Sequence, residues 1–152
     1  MPKIDVTDEA VIDAPPMEVY KAILTEFAGV TNWWMPYHGY KLRGELPIDR
    51  EGAVFDYIVF PKSRIASSKI SAKVTKIVEA RIIELELAGD FIGTEEWTFE
   101  PTKGKTKLKV RIIAKTNMLK ASLFSPLVNI GKGHLDNMQK GFKALNSYLS
   151  KR

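Results

Sequence analysis

Between residue 37 and about residue 117 the chain alternates apolar and polar residues with a period of two, through six consecutive segments. Such alternation belongs to strands that bury one face and wet the other. The segments fall at about 38 to 46, 53 to 60, 68 to 79, 81 to 88, 93 to 101 and 105 to 117. Turn chemistry separates them: Asp49-Arg50-Glu51-Gly52, Pro61-Lys62-Ser63-Arg64, Ala88-Gly89-Asp90 and Thr102-Lys103-Gly104. Connections this short join antiparallel neighbours, because a parallel crossover consumes a dozen residues or more. The pattern predicts an antiparallel meander.

The flanks differ in period. After it, Ser125 reads as an N-cap with Pro126 just inside, and a wheel to about residue 150 puts Leu127, Ile130, His134, Met138, Phe142, Leu145 and Leu149 on one face. Asn129, Lys132, Asp136, Lys140, Lys143 and Ser147 take the other face. At about 1.5 Å per residue this helix would run roughly 35 Å, enough to cross a sheet, with Gly131 and Gly133 as places where it is expected to kink or divide. Before the meander, residues 7 to 13 read as a strand. Ala14-Pro15-Pro16-Met17-Glu18 then reads as a helix start, since proline fits the first turn, and Val19, Tyr20, Ile23 and Leu24 share one side. A second short helical or irregular segment carries Phe27, Val30, Trp33 and Trp34 and ends at Met35-Pro36.

At 152 residues, 45% hydrophobic and 27% charged, the chain fits a single domain over residues 1 to 152, with no apolar run long enough to span a membrane. Its acidic first residues are not those of a secretory signal, so a cytoplasmic location is expected. Zero cysteines exclude disulfides, thiolate metal sites and cysteine nucleophiles. With only two histidines a metal site is not expected, and no cofactor is either. Gly104-Lys105-Thr106 lacks the upstream glycine of a phosphate loop, and Gly131-Lys132-Gly133 lacks the third glycine of a dinucleotide fingerprint. Lys105, Lys107, Lys109, Arg111 and Lys115 form a basic stripe, read as a solvated outer face balanced by acidic strands five and six rather than as a nucleic-acid surface.

Choosing faces so that charges point outward gives one consistent interior. Leu108, Val110, Ile112 and Ala114 point in, as do Ile83, Leu85 and Leu87, Trp97 and Phe99, and Phe55, Tyr57 and Val59. The same rule sends Glu95 inward, and the helix wheel centres His134 on the apolar side with Gly131 and Gly141 opening room beside it. Two readings stand. Either His134 is an ordinary core histidine and Glu95 a wetted strand end, or the two meet as the polar end of an apolar pocket, with the carboxylate raising the histidine pKa.

One strand, two short helices, six meandering strands and a long amphipathic helix form an order that resembles the START-like, or helix-grip, superfamily of polyketide cyclases and lipid-transfer domains. The resemblance covers nearly the whole chain. It is carried by Val11-Ile12-Asp13-Ala14-Pro15-Pro16-Met17-Glu18-Val19-Tyr20, by Trp33-Trp34, by Gly93 to Trp97-Thr98-Phe99, and by the last helix with His134. It implies an α+β helix-grip fold: a seven-stranded curved antiparallel sheet wrapped around the C-terminal helix, with two short helices after the first strand and a deep cavity between. The superfamily shares no single catalytic motif, so the resemblance carries no activity over.

The expected function is binding or transport of a hydrophobic small molecule, such as a lipid, a polyketide or an aromatic metabolite. The alternatives are a cyclase, dehydratase or hydrolase using Glu95 and His134 as acid and base, and a chaperone-activator-like interaction domain. The expected ligand wall is Trp33, Trp34, Phe55, Tyr57, Leu85, Glu95, Trp97, Val110, Ile112, Ile130, His134 and Met138. Expected partners are the small molecule alone, without nucleic acid and without an integral membrane segment, though with room for transient membrane contact, in a monomer or homodimer.

Overall fold

The computed structural model describes residues 3–60, 67–116 and 127–151, and of residues 127–136 the backbone only. Its elements are β1 (Lys3–Ile12), α1 (Pro16–Phe27), β2 (His38–Arg43), β3 (Val54–Val59), β4 (Ser68–Val78), β5 (Ile82–Gly89), β6 (Phe91–Thr102), β7 (Lys105–Thr116) and α2 (Leu127–Ser150). One seven-stranded antiparallel sheet runs β1-β7-β6-β5-β4-β3-β2. The meander is therefore as the turns predict. Lys103 and Gly104 both take positive φ, 51° and 80°, the geometry of a two-residue hairpin loop between β6 and β7.

The first strand closes the sheet beside the last. β1 pairs with β7 from Lys3 against Lys115 to Ile12 against Thr106, starting earlier than residue 7 because Ile4 finds Ala114. β7 is thus an interior strand, and β1 and β2 are the edges. The neighbour also changes the account of the basic stripe. Its described ion pairs run to β1 and the residue after it, Arg111 to Asp5 at 3.1 Å, Lys107 to Glu9 at 3.9 Å and Lys105 to Asp13 at 3.7 Å. On the other side Glu96 and Glu100 of β6 stand in register with Arg111 and Lys107.

α1 starts at Pro16, with Pro15 extended before it, and buries Val19, Tyr20, Ile23, Leu24 and Phe27. It ends in a Schellman motif: Gly29 at φ 75° donates to the Glu26 carbonyl, and Val30 donates to that of Thr25. The expected second short helix does not form. Residues 28–37 are turns, because the Glu26 carboxylate takes over as acceptor for the Trp33 and Trp34 N–H groups, at 3.2 and 3.0 Å, and for the Thr31 hydroxyl at 2.6 Å. A helix would have supplied those acceptors from its own carbonyls.

α2 runs through Gly131 and Gly133 without dividing. Ser125, its expected cap, lies outside the described residues. Asn146 pins the helix to the sheet, accepting from the Asp13 N–H at 2.8 Å and donating to the Val11 carbonyl at 3.4 Å. Met138, Phe142 and Leu145 turn inward, onto a core of Ile12, Val19, Ile23, Phe27, Phe55, Ile83, Leu85, Phe99, Leu108 and Val110.

Candidate functional site

Alternation in β6 decides the centre of the site. Trp97 and Phe99 must face the core, so Glu95, two residues earlier, faces it too and is only 5% exposed. A carboxyl this deep needs donors. Tyr57, reaching across from β3, donates its hydroxyl to Oε1 at 3.3 Å, and the Trp97 indole N–H donates to Oε2 at 2.9 Å. Burial raises the Tyr57 phenol well above its ordinary pKa, and the charge of Glu95 and its hydrogen bond raise it further.

β2 supplies a second polar pair. His38 and Tyr40 share its inner side, and the imidazole Nδ1 lies 2.8 Å from the Tyr40 hydroxyl. Tyr40 is half-buried as a residue, yet its hydroxyl is enclosed; burial first and Glu95 second hold its pKa well above the usual phenol value. The imidazole stacks on Trp34 with centroids 4.2 Å apart and faces Tyr57 at 5.8 Å. Tyr40 in turn lies 5.4 Å from Tyr57. Carboxyl, two phenols and imidazole therefore occupy one aromatic neighbourhood.

Trp34 joins this neighbourhood to α2. Its indole N–H donates to the Asn137 carbonyl at 3.2 Å, and the ring packs closely against Gly141. A Cβ at 141 would meet Trp34 ring atoms at 2.2 to 2.4 Å. The room that Gly141 was expected to open is filled by Trp34, since the indole reaches a helix carbonyl only where no side chain intervenes. Trp33 stacks outside Trp34 at 5.6 Å and against Tyr148 at 6.2 Å.

The expected wall is brought together in part. Trp34, Phe55, Tyr57, Leu85, Glu95, Trp97, Val110, Ile112 and Met138 are buried, and Trp33 is half-buried in the outer layer. The side chains of Ile130 and His134 lie outside the described residues, and so does their expected part in the site, including a meeting of His134 with Glu95. Sequence reading missed His38 and Tyr40, which alternation along residues 38 to 46 would have placed on one face. It also missed Asp8, buried in β1, and Glu26, which shapes the Trp33-Trp34 turn.

Comparison with known proteins follows the fold. A family described as polyketide cyclase / dehydrase and lipid transport matches residues 3–149. A START superfamily protein from Mycobacterium smegmatis superposes with a TM-score of 0.74 at 16% identity, covering 97% of each chain. A Thermus thermophilus protein gives 0.73 at 14% identity over 95% of each chain. The Zhui aromatase/cyclase from a Streptomyces species gives 0.71 at 13% identity, over 99% of this chain and 95% of that one. Identities this low speak for the fold alone. No curated protein sequence matches the chain.

Proposed function

Because the chain belongs to the polyketide cyclase / dehydrase and lipid transport family, with the START-like fold, we propose that it binds a hydrophobic small molecule between the inner face of its sheet and α2, as one ligand-binding domain. The observation that carries this is the composition of that inner face. It is an aromatic and aliphatic wall that holds the Glu95–Tyr57–Trp97 group in its midst, and such a combination orients an apolar ligand by a few placed polar contacts. A lipid, a polyketide or an aromatic metabolite would fit this chemistry. The basic stripe takes no part in this reading, with Lys105, Lys107 and Arg111 engaged by Asp13, Glu9 and Asp5, and it serves no nucleic acid. No helix among the described residues is long and apolar enough to cross a membrane.

A neutral phenylnaphthylamine dye tests the proposal. It should brighten on mixing with folded protein, be displaced by flat aromatics, and compete with small molecules found by native mass spectrometry after mild purification. Absence of brightening with protein that is folded by circular dichroism would remove the basis of the binding reading.

One observation favours a second reading, a cyclase or dehydratase acting on such a ligand. The His38–Tyr40 pair at 2.8 Å is an imidazole and a phenol placed to exchange a proton. Turnover of a bound carbonyl compound that is lost in His38→Ala while dye binding persists would select catalysis over carriage.

A further inference from the structure

We propose that the β1 edge of the sheet binds a second copy of the chain, strand to strand and antiparallel, about a two-fold axis through Val6. The two edges of the sheet differ in kind. β2 is 6 residues long, exposes Lys41 and Arg43, and has its Tyr40 carbonyl covered by Gly29, where an added Cβ would lie 2.8 Å from that oxygen. Like charges and a covered backbone blunt such an edge against pairing. β1 is 10 residues long, contains neither proline nor glycine, and pairs with β7 in unbroken register. Its Lys3, Asp5, Thr7 and Glu9 are exposed.

Hydrogen bonding fixes which backbone groups face outward. Asn146 takes the Val11 carbonyl and the Asp13 N–H from outside the β1–β7 ladder. Backbone groups alternate sides along a strand, so those of Lys3, Asp5, Thr7 and Glu9 point the same way as those of Val11. Among the described residues nothing pairs with them there. Lys3 also stands directly opposite Lys115, and neither is in an ion pair among the described residues. Like charges across a ladder are destabilising, and a carboxylate on the free side of Lys3 would relieve them.

One register supplies that carboxylate. With the axis at Val6, Lys3 faces the partner's Glu9 and Asp5 faces the partner's Thr7, and each facing pair exchanges two backbone hydrogen bonds. A slip of the partner by two residues sets Asp5 against the partner's Asp5 in one direction and against the partner's Glu9 in the other. Lys3 facing the partner's Asp5 would also match in charge, but it keeps only half of the ladder. The Asn146 contact at Val11 lies about 16 Å along the strand from the axis. In the pair, the two such contacts therefore fall at opposite ends and leave the ladder clear. The contact uses the same strand on both copies, so it closes as a dimer and does not propagate. It is also independent of what the inner face of the sheet binds.

Sedimentation velocity over a concentration series tests the proposal. The wild type should pass from monomer to dimer as concentration rises. Lys3→Glu and Glu9→Lys each set like charges at both ends of the ladder, and each should weaken the dimer about tenfold. An equimolar mixture of the two variants restores opposite charges at both ends, so it should dimerise about as tightly as the wild type. Damage to either fold would not be rescued by mixing. A wild type that stays monomeric to about 1 mM overturns the inference. Two other results overturn it as well: dimers equally tight in the wild type and in both variants, or a mixture no tighter than its parts. If a charge variant does not fold, Thr7→Pro decides. It removes an N–H from the free edge and none that faces β7, so it should abolish the dimer, and a dimer that persists refutes pairing through β1.

Discussion

Replacing Gly141 by alanine sets two physical rules against each other. A glycine inside a helix costs about 0.5–1 kcal/mol relative to alanine, so propensity alone predicts that Gly141→Ala stabilises the protein. The structure predicts the reverse. The new methyl would lie 2.2 to 2.4 Å from three atoms of the Trp34 indole, a ring held by the Asn137 carbonyl on one edge and packed between Trp33 and His38 on its faces. Overpacking of this kind costs about 1–3 kcal/mol, and displacing the indole forfeits a hydrogen bond worth about 0.5–1.5 kcal/mol. The net expectation is a loss of about 1–3 kcal/mol, measured as a lower urea midpoint at unchanged slope. At about 2–4 °C per kcal/mol for a chain this size, the melting temperature falls with it. The decisive step is the double-mutant cycle. In a Trp34→Leu background the methyl meets no ring, so Gly141→Ala should become neutral or stabilising by up to about 1 kcal/mol. If Gly141→Ala stabilises the wild type, or costs the same in both backgrounds, then Trp34 does not sit against α2 as described.

Glu26→Gln should destabilise by about 1–3 kcal/mol in urea titration, because the amide keeps one oxygen acceptor and must turn its NH2 toward either the Trp33 or the Trp34 N–H, both of which the carboxylate now satisfies; a loss below about 0.5 kcal/mol would speak against its capping role. Tyr40 and Tyr57 hold their protons more tightly folded than unfolded. Stability from them is therefore full below about pH 10 and declines as pH rises toward their folded values. An ultraviolet titration should show these two phenols ionising only as the far-ultraviolet dichroism collapses; ionisation of all five tyrosines with the fold intact contradicts it. Asp5→Asn, which breaks the exposed bidentate pair with Arg111, should leave the urea midpoint unchanged at moderate salt. A clear shift there would mean that the β1–β7 pairing leans on charge.

What was legible in the sequence was whatever a local period determines. The faces of β5, β6 and β7 followed from alternation, down to Glu95 pointing inward, because a strand's side chains have no other choice. What escaped was what a distant partner determines. The charges of Asp5, Glu9 and Asp13 complement Arg111, Lys107 and Lys105, yet nothing in either segment alone says that the first strand lies beside the last. Glu26 reads as one more surface glutamate on an amphipathic helix until the chain folds back and presents it with three donors. Gly141 reads as open space, but a glycine on an apolar helix face announces only that something approaches closely, and the sequence does not say whether that is a ligand or an indole.

The polar residues that violate the apolar inward pattern carry more information than those that obey it. Asp8 in β1, His38 in β2 and Glu95 in β6 each occupy a position where a hydrophobic side chain would pack at no electrostatic cost. Sequence selection retains such positions when the group does something that packing does not, which is why inconsistencies of this kind mark functional sites more often than errors. On this argument Glu95→Leu should raise the urea midpoint if its Tyr57 and Trp97 donors can turn to each other or to water, while weakening the binding of the small molecules that displace the dye from the wild type. A variant that gains stability and keeps that binding would show that the buried carboxyl is an accident of packing.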